Sequence, residues 1–335
     1  MAAQTQVILA STASDAFSKL GQTGEALLVF FGIGLIIFVA AGRATGRLHR
    51  PLTIVVLLGP ALVLLAVGLV IPAIRTIYLS FYSDDSSTFV GGKNFGWAFT
   101  NGSAQQALLN TLLWILIAPI VATALGLLLA VLVDRIKFQA VYKSLIFMPM
   151  AISFVGASII WKFVYDYRAP GQPQTGLLSQ VVIKLGWSNP PNWILSHPLN
   201  NFLLMVIMIW SQTGFAMVVL SAAIKAIPDD IIDAAKVDGA RGLAMAFRIT
   251  FPMIRSTLIV VLTTVMIITL KLFDIIRTMT GGNFGTEVLA NDMYSQTFVN
   301  FDTGKGSALA VILFAGVLPL VAYNIVLLRR ERQIR

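Results

Sequence analysis

Long apolar runs separated by short polar segments organise the chain. A helix needs about 20 mostly apolar residues to cross a bilayer. Seven segments meet or approach that length: 26–41, 52–74, 107–133, 144–164, 202–224, 256–270 and 308–328. The stretches 165–176 and 186–199 are rich in Pro and Gly, so they are interpreted as ordered connectors rather than strands. The pattern predicts an all-α, polytopic membrane protein with about seven transmembrane helices.

The composition excludes a water-soluble protein. Hydrophobic residues make up 57% of the chain, charged residues make up 12%, and the mean hydropathy is +0.83. Soluble domains carry roughly 25% charged residues, so this supply cannot build a water-facing surface. The absence of cysteine excludes disulfides, thiolate metal sites and cysteine nucleophiles. Because His49 and His197 lie in different loops, no metal site is predicted.

The basic residues indicate how the chain is oriented in the membrane. Most of the 24 Lys and Arg residues fall in segments on one side of the predicted spans: 43–50, 135–143, 225–255 and 329–335. Loops rich in Lys and Arg face the cytoplasm, so the amino terminus is predicted outside and the carboxyl terminus in the cytoplasm. Since the net charge of +9 is spread over these segments rather than gathered in a patch, no nucleic-acid partner is expected. The first 20 residues hold one Lys and one Asp, which argues against a cleaved signal peptide.

The stretch "DAAKVDGARGLAMAFRITFP", residues 233–252, is too polar to cross a bilayer and too helix-prone for a loose loop. Just before it, Pro228 suits the first turn of a helix, where its missing N–H costs nothing. Asp229 and Asp230 then lie near the positive end of the helix dipole. Gly239 can end this helix in a turn of positive φ, and a second helical piece follows. The pattern predicts a helix–turn–helix at the cytoplasmic surface.

From the residues alone, two interpretations of this helix–turn–helix remain open. The small residues Ala234 and Ala235 would let another protein approach closely. Alternatively, the first helix is an amphipathic helix that lies in the membrane interface. In both interpretations the second helical piece ends at Pro252, just before the run 256–270.

The stretch resembles the cytoplasmic EAA loop of permease subunits in binding-protein-dependent ABC importers. That loop has an acidic residue and two alanines, a Gly after three more positions, and an Ile-x-Leu-Pro nine residues later. The matching residues here are Asp233, Ala234, Ala235, Gly239, Ile249, Phe251 and Pro252. Asp replaces the usual Glu and Phe replaces Leu, and the spacing is unchanged. The wider resemblance, over residues 51–328, is to sugar permeases of the maltose/alpha-glucoside F-type branch.

The resemblance implies a type I ABC importer permease fold in the bacterial cytoplasmic membrane. Residues 1–50 would add an extra span and a basic linker to a core permease domain, 51–335, that carries a coupling loop at 225–255. In this family the loop docks in a groove of an ATP-binding subunit, with Asp233 as a charge partner and Gly239 as the turn. The residues assigned to coupling are Pro228, Asp229, Asp230, Asp233, Ala234, Ala235, Asp238, Gly239 and Pro252.

The implied partners are a second permease subunit, two ATP-binding subunits, an extracytoplasmic sugar-binding protein and membrane lipid. The chain has no G-x-x-x-x-G-K-[ST] stretch, and "TGKGSA" at 303–308 lacks the required spacing. ATP hydrolysis is therefore expected on a partner, and this chain is expected to be a transporter subunit without catalytic residues or a cofactor of its own.

A candidate substrate site lies in the fifth run, where "IWSQTGFAM" contains Trp210, Gln212 and Gly214. Trp210, Gly214 and Met217 are spaced to share one helix face. By resemblance, this face aligns with the span that contacts maltose in the maltose permease. Trp210 would stack on a sugar ring and Gly214 would leave room for it. The alternative is helix–helix packing, with Gly214 allowing close approach.

Two charged residues, Lys271 and Asp274, interrupt the end of the sixth run. Polar residues at membrane depth are costly and are therefore functional candidates, so both are assigned to the substrate site. The alternative is an ion pair within one helix, since their spacing is i, i+3.

Two other functional classes are less consistent with the residues than an importer subunit. An ion-coupled secondary sugar transporter tends to carry carboxylates within its spans and internal repeats. Apart from Asp274 near a span end, no predicted span contains a carboxylate, and no repeat of fixed period is visible. A membrane enzyme would need a cluster of His, Asp or Glu at membrane depth, and the sequence has none.

Overall fold

The computed structural model describes residues 58–134, 136–169, 171–187 and 189–334, together with residues 21, 24, 25, 32, 34, 35 and 39. The chain separates into two compact units, Met1–Arg75 and Thr76–Arg335. The predicted first span, 26–41, lies outside the described residues except at four helical positions, and so does the start of the second, 52–57.

The described residues form helices and short turns, and none of them belongs to a strand. The single β contact among them is an isolated bridge between Tyr82 and Phe89. The helices are α1 (Leu58–Leu79), α2 (Lys93–Thr100), α3 (Gly102–Val133), α4 (Gln139–Phe147), α5 (Phe154–Val164), α6 (Leu177–Lys184), α7 (Leu199–Lys225), α8 (Asp229–Val237), α9 (Leu243–Met245), α10 (Phe251–Leu270), α11 (Asp274–Met279), α12 (Leu289–Phe298) and α13 (Thr303–Ile334). This confirms the predicted all-α fold.

Five helical segments of the described chain are long and apolar enough to cross a membrane. They are Leu58–Leu79, Gly102–Val133, Leu199–Lys225, Ala246–Leu270 and Thr303–Leu327. Each overlaps one of the runs identified in the sequence. The connectors 165–176 and 186–199 contain no strand among their described residues, as predicted, and α6 lies between them.

The fourth predicted span, 144–164, is wrong as a single helix. The chain forms two helices there, Gln139–Ala151 and Phe154–Val164, which meet at 101°. Pro149 lies in a 3₁₀ turn, Met148–Ala151, and Ser153 then caps α5 by accepting a hydrogen bond from the N–H of Gly156 at 3.1 Å. Proline ends the first helix because its ring prevents regular helical hydrogen bonding, and the serine cap begins the second.

The helices α3 and α7 form the centre of the Thr76–Arg335 unit and run parallel. Near their amino ends, Asn201 donates to Asn110 at 3.3 Å, and near their carboxyl ends, Ser221 donates to Asp134 at 2.9 Å. Between these contacts, a Cβ at Gly126 would lie 2.5 Å from the Cβ of Ala216. Small residues on facing surfaces allow helix backbones to approach in this way.

Large apolar side chains of α3 point away from α7. Leu109, Leu112, Leu116 and Ile120 are all more than half exposed, whereas alanines on the opposite face are buried. This arrangement suits a lipid environment, where leucine on the outer surface carries no penalty and helices associate through small residues. The pattern therefore agrees with a membrane-spanning bundle.

The second helical piece of the helix–turn–helix differs from its predicted form. It does not end at Pro252: α9 continues through a π-turn, Ala246–Thr250, into α10, so that one apolar helix runs from Ala246 to Leu270. Pro252 lies in the first turn of α10, immediately after the π-turn. A π-turn changes the hydrogen-bond pattern of a helix locally, and the helix continues past the proline.

Candidate functional site

The short helix α8 is attached to the bundle by one face. Ala235 is buried, and the half-buried Ile232 packs with Ile227 on an apolar cluster that includes residues of α3 and α10. Pro228 is the N-cap with ψ 138°, one residue before the first turn that the sequence predicts for it. Because its ψ is extended, the helix begins at Asp229, where the two aspartates lie at the positive end of the helix dipole.

A Schellman motif closes the carboxyl end of α8. Gly239 has φ +84°, its N–H donates to the carbonyl of Lys236 at 3.1 Å, and the N–H of Ala240 donates to the carbonyl of Ala235 at 2.9 Å. A left-handed conformation costs other residues roughly 1–2 kcal/mol, so glycine is favoured here. The turn predicted at Gly239 is confirmed.

The other face of α8 is exposed. The side chain of Val237 is 88% exposed and that of Ile231 is 39% exposed. A cavity of about 650 Å³ lies beside α8. Its lining contains Asp230, Ile231, Ala234, Ala235, Asp238, Gly239, Ala240, Ala244, Arg248 and Ile249. The surface therefore combines small apolar residues with charged groups, which suits close contact with a complementary helix or protein.

Asp233 lies on the exposed side of α8. Its Oδ1 atom is 2.7 Å from Nζ of Lys236, and both side chains are more than half exposed. An exposed pair of this kind contributes little to stability, at most about 1 kcal/mol. Both charges are therefore available to a partner at small cost.

Behind α8, an ionic cluster joins the ends of three helices. The Asp134 carboxylate, which follows α3, pairs with Nζ of Lys143 in α4, lies 3.4 Å from Nζ of Lys225 in α7, and accepts from the Ser221 hydroxyl at 2.9 Å. Burial raises the pKa of the Asp134 carboxyl, but the hydrogen bonds from Lys143 and Ser221 outweigh burial, so the pKa lies below its ordinary value. The cluster fixes the end of α7 three residues before the helix–turn–helix begins.

Two of the predicted substrate residues pack inside the bundle. The half-buried ring of Trp210 meets Trp161 of α5 edge-on, with 5.8 Å between ring centroids. Met217 is fully buried in the cluster between α3, α7 and α10. The two side chains therefore lie in different apolar clusters and not on one open surface.

Gly214 has no free space beside it. A Cβ at this position would lie 2.4 Å from the carbonyl oxygen of Ile146 and 2.7 Å from Cα of Phe147. The backbone of α4 therefore occupies the room that the sequence predicts for a sugar ring. Gly214 therefore fits the alternative from the sequence, in which glycine allows two helices to approach closely.

Gln212, another predicted substrate residue, has a buried side-chain oxygen that accepts no hydrogen bond from the described residues. Its side chain is 4% exposed, its Nε2 atom reaches only Ser211 Oγ at 3.5 Å, and its Oε1 atom has no partner among the described residues. Leaving a buried acceptor unpaired costs about 1–3 kcal/mol. A hydroxyl or amide donor from a bound molecule would remove that cost.

The charged pair at the end of the sixth run lies at a helix break. Lys271 caps α10 and is exposed, whereas Asp274 is the first residue of α11. Because the chain leaves the helix between them, the spacing expected for an intrahelical pair does not apply, and none of the ion pairs in the described chain joins them. Both charges remain candidates for contact with a solute.

A polar network that joins α3, α7 and the loop 280–287 includes residues that the sequence analysis did not select. Asn110 Nδ2 donates to the carbonyls of Gly285 and Glu287, both at 2.8 Å, and Asn201 Nδ2 donates to the carbonyl of Gly285 at 3.0 Å. Trp114 Nε1 donates to Asn201 at 3.3 Å. The signal that could have located this network is the glycine-rich loop "TGGNFGTE", residues 280–287, together with asparagines inside apolar runs.

Two carboxylates lie near this loop at the end of the bundle opposite α8. Burial raises the pKa of Glu287 to about 7, although Asn291 Nδ2 and the N–H of Val288 donate to the carboxylate. Burial also raises the pKa of Asp292. Within the described residues, no group of three or more His, Asp and Glu side chains is placed to hold a metal ion.

Comparison with known proteins places the helix–turn–helix inside a shared domain. Residues 122–333 match the model of the family described as binding-protein-dependent transport system inner membrane component. The chain is 49% identical over 276 residues to the osmoprotective compounds uptake permease protein GgtC of Synechocystis sp.. This alignment covers 82% of this chain and 99% of GgtC. It is 47% identical over 269 residues to the alpha-glucoside transport system permease protein AglF of Rhizobium meliloti, covering 80% of each.

A solved structure shares the fold at low sequence identity. A chain of the bacterial alginate ABC transporter, crystallised in complex with alginate pentasaccharide-bound periplasmic protein, superposes with a TM-score of 0.73 at 20% identity. The match covers 85% of this chain and 96% of the other. The likeness extends over nearly the whole of that permease chain.

Proposed function

Because this chain belongs to the family of binding-protein-dependent transport system inner membrane components, we propose that it is one transmembrane subunit of an ATP-driven carbohydrate importer. It forms half of the translocation path for an alpha-glucoside-type sugar. The observation that carries the proposal is the exposed helix α8. It presents small residues beside a cavity of about 650 Å³, where an ATP-binding subunit can bind.

Movement of the ATP-binding subunit is transmitted to the bundle through α8. An ATP-binding subunit holds the exposed face around Ala234 and Val237, while the buried face, through Ile232, moves with the apolar cluster between α3, α7 and α10. The Schellman motif at Gly239 fixes the angle between α8 and the following helix. Movement of the ATPase is thereby converted into movement of the spans.

The proposed assembly contains a second permease subunit, two ATP-binding subunits and an extracytoplasmic sugar-binding protein. The basic end of the bundle, which carries the Asp134 cluster and α8, faces the cytoplasm, as the distribution of Lys and Arg favours. The amino terminus then lies outside, the carboxyl terminus lies in the cytoplasm, and the loop 280–287 lies on the outer side.

The substrate class is proposed from relatives and from one buried acceptor. AglF is named for alpha-glucoside transport, and GgtC for uptake of osmoprotective compounds. The buried Oε1 of Gln212 supports this class, because it has no partner among the described residues and would accept a hydrogen bond from a hydroxyl of a passing sugar. Lys271 and Asp274, at the break after α10, remain further candidates for sugar contact.

The coupling role is tested by Gly239→Pro. Proline fixes φ near −65° and has no N–H, so this change removes both the turn of φ +84° and the hydrogen bond to Lys236. We expect ATP-dependent uptake at saturating sugar to be lost while the chain still accumulates in the membrane and assembles with the second permease.

A matched control exists at the other end of the bundle. Gly186 ends α6 in the same motif, with φ +100°, an N–H bond to Ile183 at 2.9 Å, and a bond from the N–H of Trp187 to the carbonyl of Val182 at 3.0 Å. Gly186→Pro should keep uptake at saturating sugar. Equal uptake by both variants would reject the coupling role, and uptake driven by an ion gradient without ATP would favour the secondary-transporter alternative.

A further inference from the structure

We propose that the loop 165–198 carries a second sugar site, a pocket for one neutral sugar unit on the side where the substrate is delivered. The proposal rests on the proposed function for the class of ligand and for the orientation of the chain. It concerns a place distinct from the span residues around Trp210 and Gln212.

The loop is a folded element anchored to the bundle. The hydroxyl of Tyr165 donates to the carbonyl of Leu203 in α7 at 2.8 Å. Trp193 Nε1 donates to the hydroxyl of Ser179 at 2.8 Å, and that hydroxyl donates to the carbonyl of Asp166 at 3.1 Å. These bonds connect the start, middle and end of the loop, so a site built on it is organised before any ligand arrives.

A cavity of about 310 Å³ lies in this loop, with no charged residue in its lining. Five of its nine lining residues carry neutral polar side chains: Tyr167, Gln172, Gln174, Gln180 and Asn189. The others are two prolines, an isoleucine and a glycine. This volume is at the lower end of the roughly 300–1,000 Å³ range of small-molecule pockets, which suits one sugar unit and not a long oligosaccharide.

One lining residue, Gln174, is hydrogen-bonded to the loop backbone. The Gln174 amide is buried, its Nε2 donates to the carbonyl of Arg168 at 2.5 Å, and its Oε1 accepts from the N–H of the same residue at 2.8 Å. Gln180 Nε2 donates to the carbonyl of Gln174. The Arg168 backbone and the two glutamines thus hold the shape of the cavity.

The remaining polar groups of the cavity have no partner within the described protein, and Gln172, Gln180 and Asn189 are exposed to solvent. Among the described residues, the Tyr167 hydroxyl, the Gln172 and Asn189 amides, and Oε1 of Gln180 have no hydrogen-bond partner. Amides and a phenol supply both donors and acceptors, and so do the hydroxyls of a sugar. Because none of the described lining residues is charged, the lining offers an ionic ligand no ion pair. A neutral polyol can instead replace the water at these groups, with the ring of Tyr167 and the prolines against its C–H face.

The position of the cavity fits a role in sugar capture. The loop precedes α7, whose buried Asn200 donates to the carbonyl of Phe284 at 2.9 Å, so it lies at the same end of the bundle as the glycine-rich loop. This is the end opposite α8. A sugar held here is close to the outer opening of the path without occupying the spans.

Maltose binding to the complete transporter in lipid nanodiscs tests the site, without ATP and without the binding protein. Saturation-transfer NMR gives the maltose Kd, since it detects weak complexes. Loss of one hydrogen bond should raise the Kd of the site about three- to tenfold in each of Gln172→Ala and Asn189→Ala. Gln105→Ala, an exposed glutamine in the first turn of α3 and outside the cavity, should leave Kd unchanged.

The outcomes separate this proposal from the proposed function. If Gln172→Ala and Asn189→Ala bind maltose like the wild type while Trp210→Ala abolishes the signal, the second site is rejected and the importer function stands. If these variants leave maltose binding unchanged but, in a separate measurement with the binding protein added, weaken its docking, the cavity receives a protein segment and the proposal is also rejected. If the variants weaken maltose binding but ATP drives no sugar uptake, the site stands and the proposed function fails.

Discussion

The two ends of the bundle both depend on a glycine of positive φ, but for different physical reasons. At Gly239, φ is +84° and a Cβ would meet nothing within 4 Å. At Gly285, φ is +75° and a Cβ would lie 2.6 Å from Nδ1 of His197 and 3.1 Å from Nε2 of Gln106. The first glycine makes a turn in the open, whereas the second makes a turn inside a packed polar network.

The two glycine turns differ in the hydrogen bonds that hold them. Around Gly285, amides of Asn110 and Asn201 donate to the glycine carbonyl and its neighbourhood from two different helices, so the loop is held by contacts distant in sequence. Around Gly239, every described hydrogen bond of the turn is local. The turn at Gly239 is therefore held by its own backbone and can be moved by a partner, while the turn at Gly285 is fixed by distant parts of the fold.

The largest effect is expected for Gly285→Ala. The left-handed backbone costs roughly 1–2 kcal/mol and overpacking adds about 1–3 kcal/mol, so the free energy of unfolding should fall by about 2–5 kcal/mol. The measurement is thermal or denaturant unfolding of the purified transporter. Gly239→Ala, with the same backbone cost and no overpacking, should lose only about 1–2 kcal/mol. Equal losses for the two variants would remove the distinction between the two ends.

The sequence is most informative where the structure is local. The prediction of α8 and its turn depends on Pro228, the two aspartates and Gly239, which act on the backbone of the same short helix through its start, its dipole and its closing turn. The details that differ, the N-cap position of Pro228 and the continuous helix past Pro252, are shifts of a helix end. Capping signals fix the existence of a helix better than its boundaries.

The sequence is least informative where a residue meets a distant neighbour. Gly214 signals close approach, but only the fold shows that the α4 backbone fills the space. The break at 152–153 is hard to predict because both halves of the run are apolar, and Pro149 inside the run signals a kink but not a turn of 101°. Asp134 and its two lysine partners lie in separate segments of the chain, so nothing in the sequence pattern indicates that they pair. The network of Asn110 and Asn201 is hidden in the same way.

The second largest loss of stability is expected from the Asp134 cluster. Its size is compared with that of the exposed Asp233–Lys236 pair on α8. Asp134→Asn leaves the ammonium of Lys143, 18% exposed, without its counter-ion. Removing one partner of a buried pair costs about 3–5 kcal/mol, and partial exposure of this cluster reduces the expected loss to about 2 kcal/mol. Unfolding in the same assay gives the value.

The matched control for this change is Asp233→Asn. Its partner Lys236 is 59% exposed, so the variant should lose no more than about 1 kcal/mol of stability. If α8 docks as proposed, this variant should instead weaken association with the ATP-binding subunit. A loss of stability as large as that of Asp134→Asn would contradict the view of α8 as a loosely held element.

A pH dependence of stability is expected at the glycine-rich end, of a size similar to the Asp134 effect. Burial raises the pKa of Glu287 from 4.5 to about 7, so the folded chain favours the protonated acid. The resulting stability is fully present below pH 4.5 and is lost as pH rises through about 7. Between about pH 5 and pH 8 the free energy of unfolding should fall by about 1–3 kcal/mol. Glu287→Gln should reduce this fall because the amide stays neutral, and Asp292, whose pKa burial also raises, accounts for what remains.

The control for the pH dependence is Asp85→Asn, which should leave the fall unchanged. The hydroxyls of Ser83 and Ser87 and the N–H of Ser87 hold the pKa of Asp85 at about 2, so this carboxyl titrates below the range measured. A fall of equal size in Glu287→Gln would show that Glu287 does not govern the pH dependence of stability at this end.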